Sequence, residues 1–372
     1  MYYLVQTIWR RGMLRKVIAV SKNRCRYEFD LRLVETLPGE GRLVSGLAQI
    51  KEKVWSEFPS RWLGEVIFDR YATLKLPKPA GILVTTPRLI RTARQAKTLG
   101  YKTLLYGGHA HPSYLSTQIR REQETFGLHQ MTKNYSRAWQ MARFTTHVEQ
   151  SDYILAVSEF AKNTYIQQGI PSEKIFVAPL GVDIHRFRPL PLPETNDFTC
   201  LFIAHVDGST GILKGLPYLL QAWSELGLKN ARLLVCGKLG LEARALVRRF
   251  ESTLHNVQFT GPVSNPEAYY QQASVFVFPT LAEGLAKVVL EAMASGRPVI
   301  TTPVLSPVVR EDIDGFYVPL RDTETLKDRI LYYYQHRDEL RRMGANASEQ
   351  ARQFTWDRFS QRVADIMEEI AT

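Results

Sequence analysis

ASVFVFPTLAEGLAKVVLEAMASGRPVITTP, residues 273–303, contains in order a buried strand, a short turn, a helix and a second strand. VFVFP is a run of β-branched and aromatic residues that ends at Pro279. Glu283 and Gly284 occupy the turn, and the apolar spacing of LAKVVLEAMA predicts a helix running to Gly296, where Gly followed by Pro298 is a stop signal. At the expected helix start the backbone N–H groups of Gly284, Leu285 and Ala286 lack intrahelical acceptors. They make a positive dipole end suited to a diphosphate or a sugar oxygen. Glu283 and Glu291 are eight residues apart, up to ~12 Å along a helix, enough to hold two ends of an elongated ligand. Taken alone, such a pair is more often a helix cap and an exposed polar position.

The same alternation continues around it. CLFIAH (200–205), RLLVCG (232–237), NVQFTG (256–261), PVITTP and FYVP are strand-like, and helical patterns lie between most of them. Such alternation signals parallel βαβ units and a doubly wound domain over about 197–355. In the first half KVIAVS (16–21), GILVTT (81–86), KTLLYGG (102–108), DYILAVS (152–158) and KIFVAP (174–179) read as buried strands, while residues 22–80 resist assignment. RFRPLPLPETND (186–197), with three prolines, suits a connection between domains. Two α/β domains would face each other across a cleft at the carboxyl ends of their strands.

The chain has 372 residues, 45% hydrophobic, enough for about two packed domains. No apolar run reaches the ~18–20 residues of a membrane helix, and MYYLVQTIWRRGMLRKV lacks the order of a signal peptide, so cytoplasmic residence is expected. Cys25, Cys200 and Cys236 are widely spaced, which argues against a disulfide framework or a zinc site. Residues 1–190 carry 29 Lys+Arg against 15 Asp+Glu, a net +14, whereas the remainder is −3. That basic half could meet an anionic membrane at its inner face, an acidic glycan or simply solvent. Dispersed basic residues without a zinc-finger or RNP signature disfavour nucleic acid.

Across most of residues 80–360 the sequence resembles the family 4 glycosyltransferases of the GT-B fold, two Rossmann-like domains facing a central cleft. EGLAKVVLEAMASGRPVITT is similar to that family's E-x7-E segment. DYILAVSEFAKNTYIQQGIPSEKIFVAPLGVDIHRFRP (152–189) resembles the end of its first domain, and GPVSNPEAYYQQASVFVFP and FTWDRF also fit. The resemblance implies an acceptor-side domain over 1–190 and a donor domain over 191–355. It further implies a terminal helix, 356–372, crossing back to the first domain. Glu283 would contact hydroxyls of the donor sugar, Glu291 the ribose, and Gly284, Leu285, Ala286 and Lys287 the sugar and phosphate end.

In FIAHVDGSTGILKGLPYLLQAW (202–223), Lys214 and Gly215 open a helix after a strand, where an ammonium meets phosphate. His205 stands where relatives commonly carry an arginine. In LLYGGHAHPSYLSTQIRREQETFG (104–127) both His109 and His111 follow a strand end. His111, followed by Pro and a Gln-containing helix, is the preferred match to the family's donor-facing histidine. H-x-H also suggests metal ligation, but no acidic or Cys partner is close, and the family implies no metal or other cofactor beyond the nucleotide-sugar substrate. Two departures stand out: no clear Gly-rich loop follows the first strand, GEGRLVSG (39–46) being a poor substitute, and TTPVLSPVVREDIDG (301–315) lacks the expected glycines.

The reading that follows is retaining transfer of a hexose from a nucleoside-diphosphate sugar to a glycan, glycolipid or other hydroxyl, in the manner of polysaccharide biosynthesis. An inverting GT-B enzyme and a non-catalytic nucleotide-sugar binder are the alternatives. A dinucleotide oxidoreductase is disfavoured, since no GxGxxG follows a strand.

Overall fold

The computed structural model describes residues 17–20, 69, 70, 72–74, 76, 81–128, 138–189, 191, 197–207 and 210–371. Cys25, GEGRLVSG, the N-terminal segment, most of 22–80, and Leu190 and 192–196 of the connection lie outside them.

Two parallel sheets organise the chain. The first has the order β1 (Val17–Val20), β2 (Ile82–Thr85), β3 (Lys102–Gly107), β4 (Tyr153–Ala156), β5 (Ile175–Val177). Its helices are α1 (Ile90–Thr98), α2 (Pro112–Phe126), α3 (Ala138–Gln150) and α4 (Glu159–Ile166). The second sheet is built from β6 (Phe198–Ile203), β7 (Ala231–Cys236), β8 (Val257–Gly261), β9 (Val275–Phe278), β10 (Val299–Thr301) and β11 (Gly315–Tyr317). Between them run α5 (Leu216–Leu226), α6 (Leu241–Phe250), α7 (Glu267–Gln272) and α8 (Lys287–Ala294), and the chain closes with α9 (Thr323–Gln335), α10 (Arg337–Ala351) and α11 (Trp356–Ala371).

The second sheet runs β11-β10-β9-β6-β7-β8, every neighbour parallel. The chain therefore moves outward one way from β6 and then the other way from β9. Where β6 and β9 lie side by side the winding reverses, and the loops leaving them diverge to leave a crevice. Burial explains the near-continuous apolar strands: every residue of β6 and β9 is buried, as expected for a sheet covered on both faces.

Helix α11 belongs to the first sheet's core, although it is last in sequence. Phe359, Val363, Ile366, Met367 and Ile370 fall on one helical stripe and pack on Ile82, Val84, Leu104 and Leu155. Each such burial is worth about 1.5–3 kcal/mol gross. Lys102 Nζ donates to the Ile370 carbonyl at 2.6 Å. The crossing back is pinned where Val182 N donates to Phe354 O at 2.8 Å. Gly181 is required there, since a Cβ would sit 2.3 Å from Trp356 N.

Candidate active site

Lys214 and Glu283 leave the two strands that flank the reversal, Lys214 after β6 and Glu283 after β9, and their side chains form an ion pair. Backbone contacts force the meeting. Gly215, in the left-handed region at φ 79°, brings its Cα so close to β9 that a Cβ would lie 2.0 Å from Pro279 O. Leu281 N and Thr280 Oγ1 both donate to the Leu213 carbonyl, at 2.8 and 3.0 Å. The turn carrying Lys214 is thus stapled to the turn carrying Glu283. Glu283 is buried, and Lys214 keeps part of its surface in the cleft.

The helix starts later than its sequence suggests. Ala286 is the N-cap of α8 and Lys287 its first residue, so Gly284, Leu285 and Ala286 form the turn before the helix rather than its first turn. The free amides of the helix end shift accordingly toward Lys287 and Val288. The reason is tertiary. Ser158, at the end of β4 in the other lobe, donates its hydroxyl to Gly284 O at 2.5 Å and accepts from Ala161 N at 3.1 Å as the N-cap of α4. A Cβ on Gly284 would lie 2.1 Å from Gly108 O.

Glu291 lies one turn into α8 and is half-buried. Burial raises its pKa above the ordinary carboxylate value, while the Tyr270 hydroxyl, Lys287 and Arg186 draw it down and Glu267 pushes it up. Tyr270 Oη lies 3.1 Å from Glu291 Oε2 and 3.0 Å from Val288 O. Arg186, from the GVDIHRFRP segment, forms an ion pair with Glu267 of α7. Beside it a concavity of about 480 Å³ is lined by His185, Arg186, Arg188, Glu267, Gln271 and Ser295. Lys287 is exposed at the helix start.

The two histidines exchange their expected places. His111 is 2% exposed and caps α2, its Nδ1 accepting from Ser113 N at 3.2 Å. Its ring packs edge-on against Tyr165, centroids 5.2 Å apart, and burial lowers its pKa to about 4. Its ring is thus turned into the protein at the helix end. His109 is the one that opens onto the cleft, yet enough protein surrounds it to lower its pKa, with Glu283 raising it and Lys214 lowering it in turn. His109 therefore feels both members of the ion pair. His205 is exposed beyond the end of β6 and accepts a long hydrogen bond from Lys238 N at 3.4 Å. Among the described residues it makes no hydrogen bond or ion pair with Lys214 or Glu283. The stretch expected to carry glycines forms a 3-10 turn, Pro303–Leu305, with Val304, Leu305 and Val309 buried.

Comparison with known proteins bears on the family and the fold. The profile described as Glycosyltransferase Family 4 matches residues 56–186, and that described as Glycosyl transferases group 1 matches residues 198–336, one for each lobe. The chain belongs to the family 4 glycosyltransferases. This glycosyltransferase is 24% identical over 361 residues to the GDP-mannose-dependent alpha-(1-6)-phosphatidylinositol monomannoside mannosyltransferase of Mycobacterium tuberculosis, covering 88% of this chain and 92% of that one. It is 29% identical over 198 residues to a putative colanic acid biosynthesis glycosyltransferase of Escherichia coli, covering 50% of this chain and about half, 48%, of the relative. In fold it is similar to Anabaena HepE, solved in complex with UDP and glucose, with a TM-score of 0.67 over 95% of this chain and 99% of that one at 14% identity. The shared fold is GT-B.

Sequence reasoning missed Ser158, Gly108, Tyr270 and Arg186. Ser158 alone left a signal, a serine in the N-cap position of a helix that follows a strand. No helix among the described residues is long and apolar enough to cross a membrane, and no cluster of three or more His, Cys, Asp or Glu among them is placed to hold a metal ion.

Proposed function

We infer that the glycosyltransferase moves a hexose from a nucleoside-diphosphate sugar to a hydroxyl of a glycan or lipid-linked acceptor, with retention at the anomeric carbon. The observation that carries this reading is the Lys214–Glu283 pair at the winding reversal, facing His109 across the cleft. The solved relative that holds UDP and glucose and the relative that uses GDP-mannose support a donor of this class.

An ammonium has three N–H donors. Lys214 directs one to Glu283 and can direct the others to the diphosphate, while Glu283 accepts from hydroxyls of the sugar. The Lys287 end of α8 adds dipole charge to the phosphate side, and Glu291 takes the ribose hydroxyls. As the bond from C1 to the phosphate oxygen breaks, negative charge grows on the diphosphate, where Lys214 and the helix end stabilise it. The acceptor oxygen bonds C1 on the same face, and its proton passes to the departing phosphate oxygen. His109, neutral because its pKa is lowered, lines the opposite wall beside the sugar. The reaction needs no metal in this scheme, so EDTA should leave turnover unchanged. The basic first lobe is the surface that would meet anionic lipid, and salt-insensitive failure to bind anionic vesicles would sink that part.

The test is a panel of UDP-, GDP-, ADP- and TDP-sugars screened by thermal shift, since bound donor raises apparent stability. One donor should stabilise the wild type, and Glu283→Ala and Lys214→Ala should abolish transfer while the protein stays folded. Near-wild-type turnover in both variants would refute the site. The anomeric configuration of the product, read by NMR, separates retention from inversion.

A further inference from the structure

Helix α2 belongs to the first lobe by sequence and to the second by packing. Ala110, Leu115, Ile119 and Leu128 join the buried core formed mostly by second-lobe side chains. Phe126 meets Tyr218 of α5 edge-on, centroids 5.6 Å apart. In this apolar seam sits Glu122, with no exposed surface. Arg321 Nε donates to its Oε1 at 2.7 Å, and Tyr218 Oη donates to its Oε2 at 2.8 Å. Arg321 Nη2 also donates to Gln118 Oε1 at 2.6 Å. Arg321 itself is left-handed, at φ 70°, a conformation a non-glycine residue keeps only when its surroundings over-determine it.

Helix α2 meets the site at two points. Its N-cap is His111, two residues after His109, and its flank contacts the 3-10 turn Gly211–Lys214. Tyr218 lies four residues beyond Lys214. A buried ion pair adds little net stability over an apolar contact, yet it fixes register, and losing one partner strands the other charge. Any movement that parted α2 from the second lobe would return both groups to water, where the charges no longer need each other.

We propose that Glu122 and Arg321 are positioning residues that clasp α2 to the second lobe and so hold His109 against Lys214 and Glu283 in the closed cleft. The proposal rests on the reading of Lys214 and Glu283 as the donor site. Neither residue touches the donor in this scheme. Their loss should lower turnover without weakening nucleotide binding, which depends on the second lobe.

The variants are Glu122→Gln, which strands the guanidinium, and Glu122→Met with Arg321→Met, which removes both charges and stays foldable if the single variant does not. Hydrolysis of UDP-glucose and GDP-mannose gives kcat and KM, calorimetry gives UDP and GDP affinity, and solution scattering gives lobe separation. The expected result is a kcat at least tenfold lower in both variants, nucleotide affinity within twofold of wild type, and a larger radius of gyration. Wild-type kcat and scattering in the double variant would overturn the clasp, as would kcat, affinity and melting temperature falling together. Lys214→Ala serves as the control. If it binds UDP and GDP as wild type does, the donor-site reading fails and takes the proposal with it. If Lys214→Ala loses nucleotide while the Glu122 variants are inert, the clasp alone fails.

Discussion

Replacing Gly284 with alanine inserts one methyl group between the lobes. The position is not left-handed, so backbone strain is not the issue; space is. The new Cβ would stand 2.1 Å from Gly108 O, 2.9 Å from Gly108 C and 3.0 Å from Val157 Cγ2. Reaching ordinary contact with the carbonyl requires a retreat of about 1.3 Å, and the obstacle is backbone on both sides. Overpacking of this kind costs about 1–3 kcal/mol. Because the clash exists only while the lobes touch, that cost falls on the closed form and shifts the balance toward the open one about 5–150-fold. The variant keeps the Gly284 N–H, so a nucleotide held by the second lobe should still bind. Turnover of the donor chosen by the thermal panel should fall by a comparable factor, and the radius of gyration should rise. Val157→Ala should not rescue it, since that removes only the methyl at 3.0 Å and leaves the carbonyl in place. Wild-type kcat/KM together with wild-type scattering in Gly284→Ala would refute the idea that this contact governs closure.

Acidification provides two further tests. Glu291 has a raised pKa, so it is neutralised at a higher pH than an ordinary carboxylate. Nucleotide affinity, measured by calorimetry, should begin to fall correspondingly early, and Glu291→Gln should flatten that profile. For stability the sign is opposite: a raised carboxylate favours the folded state below its unfolded pKa and loses that contribution as pH rises through its folded value. His111, lowered to about 4, favours the folded state fully above pH ~6.5 and progressively less on descent toward 4, because burial penalises its charged form. His111→Asn keeps a capping acceptor and removes the titration, so its melting temperature should vary less between pH 6.5 and 4 than that of the wild type. Equal slopes would contradict the assignment.

The strands were legible because each is a short β-branched or aromatic run bounded by turn residues, and VFVFP is the plainest of them. Lys214 and Glu283 were legible as separate loop residues after strands; that they touch depends on the sheet order, which no local pattern encodes. The start of α8 lies about three residues beyond where its local pattern puts it. Gly284 is held out of the helix by Ser158 and Gly108, more than a hundred residues away in sequence. The N-cap position of His111 was legible locally, since it directly precedes a proline that opens a helix. Glu122 and Arg321 are 199 residues apart, and nothing in either neighbourhood marks them as partners.

The docking of α11 on the first sheet bears on how the chain is made. Ile82, Val84, Leu104 and Leu155 emerge from the ribosome long before Phe359, Val363 and Ile370, which cover them. At ~5–20 residues per second, the roughly 180 residues from Ala178 to Phe359 take about 10–40 s to synthesise. During that interval the strip of the nascent first lobe that α11 covers lacks that cover, the kind of exposed apolar surface that favours aggregation. The lobe synthesised first is therefore the one completed last.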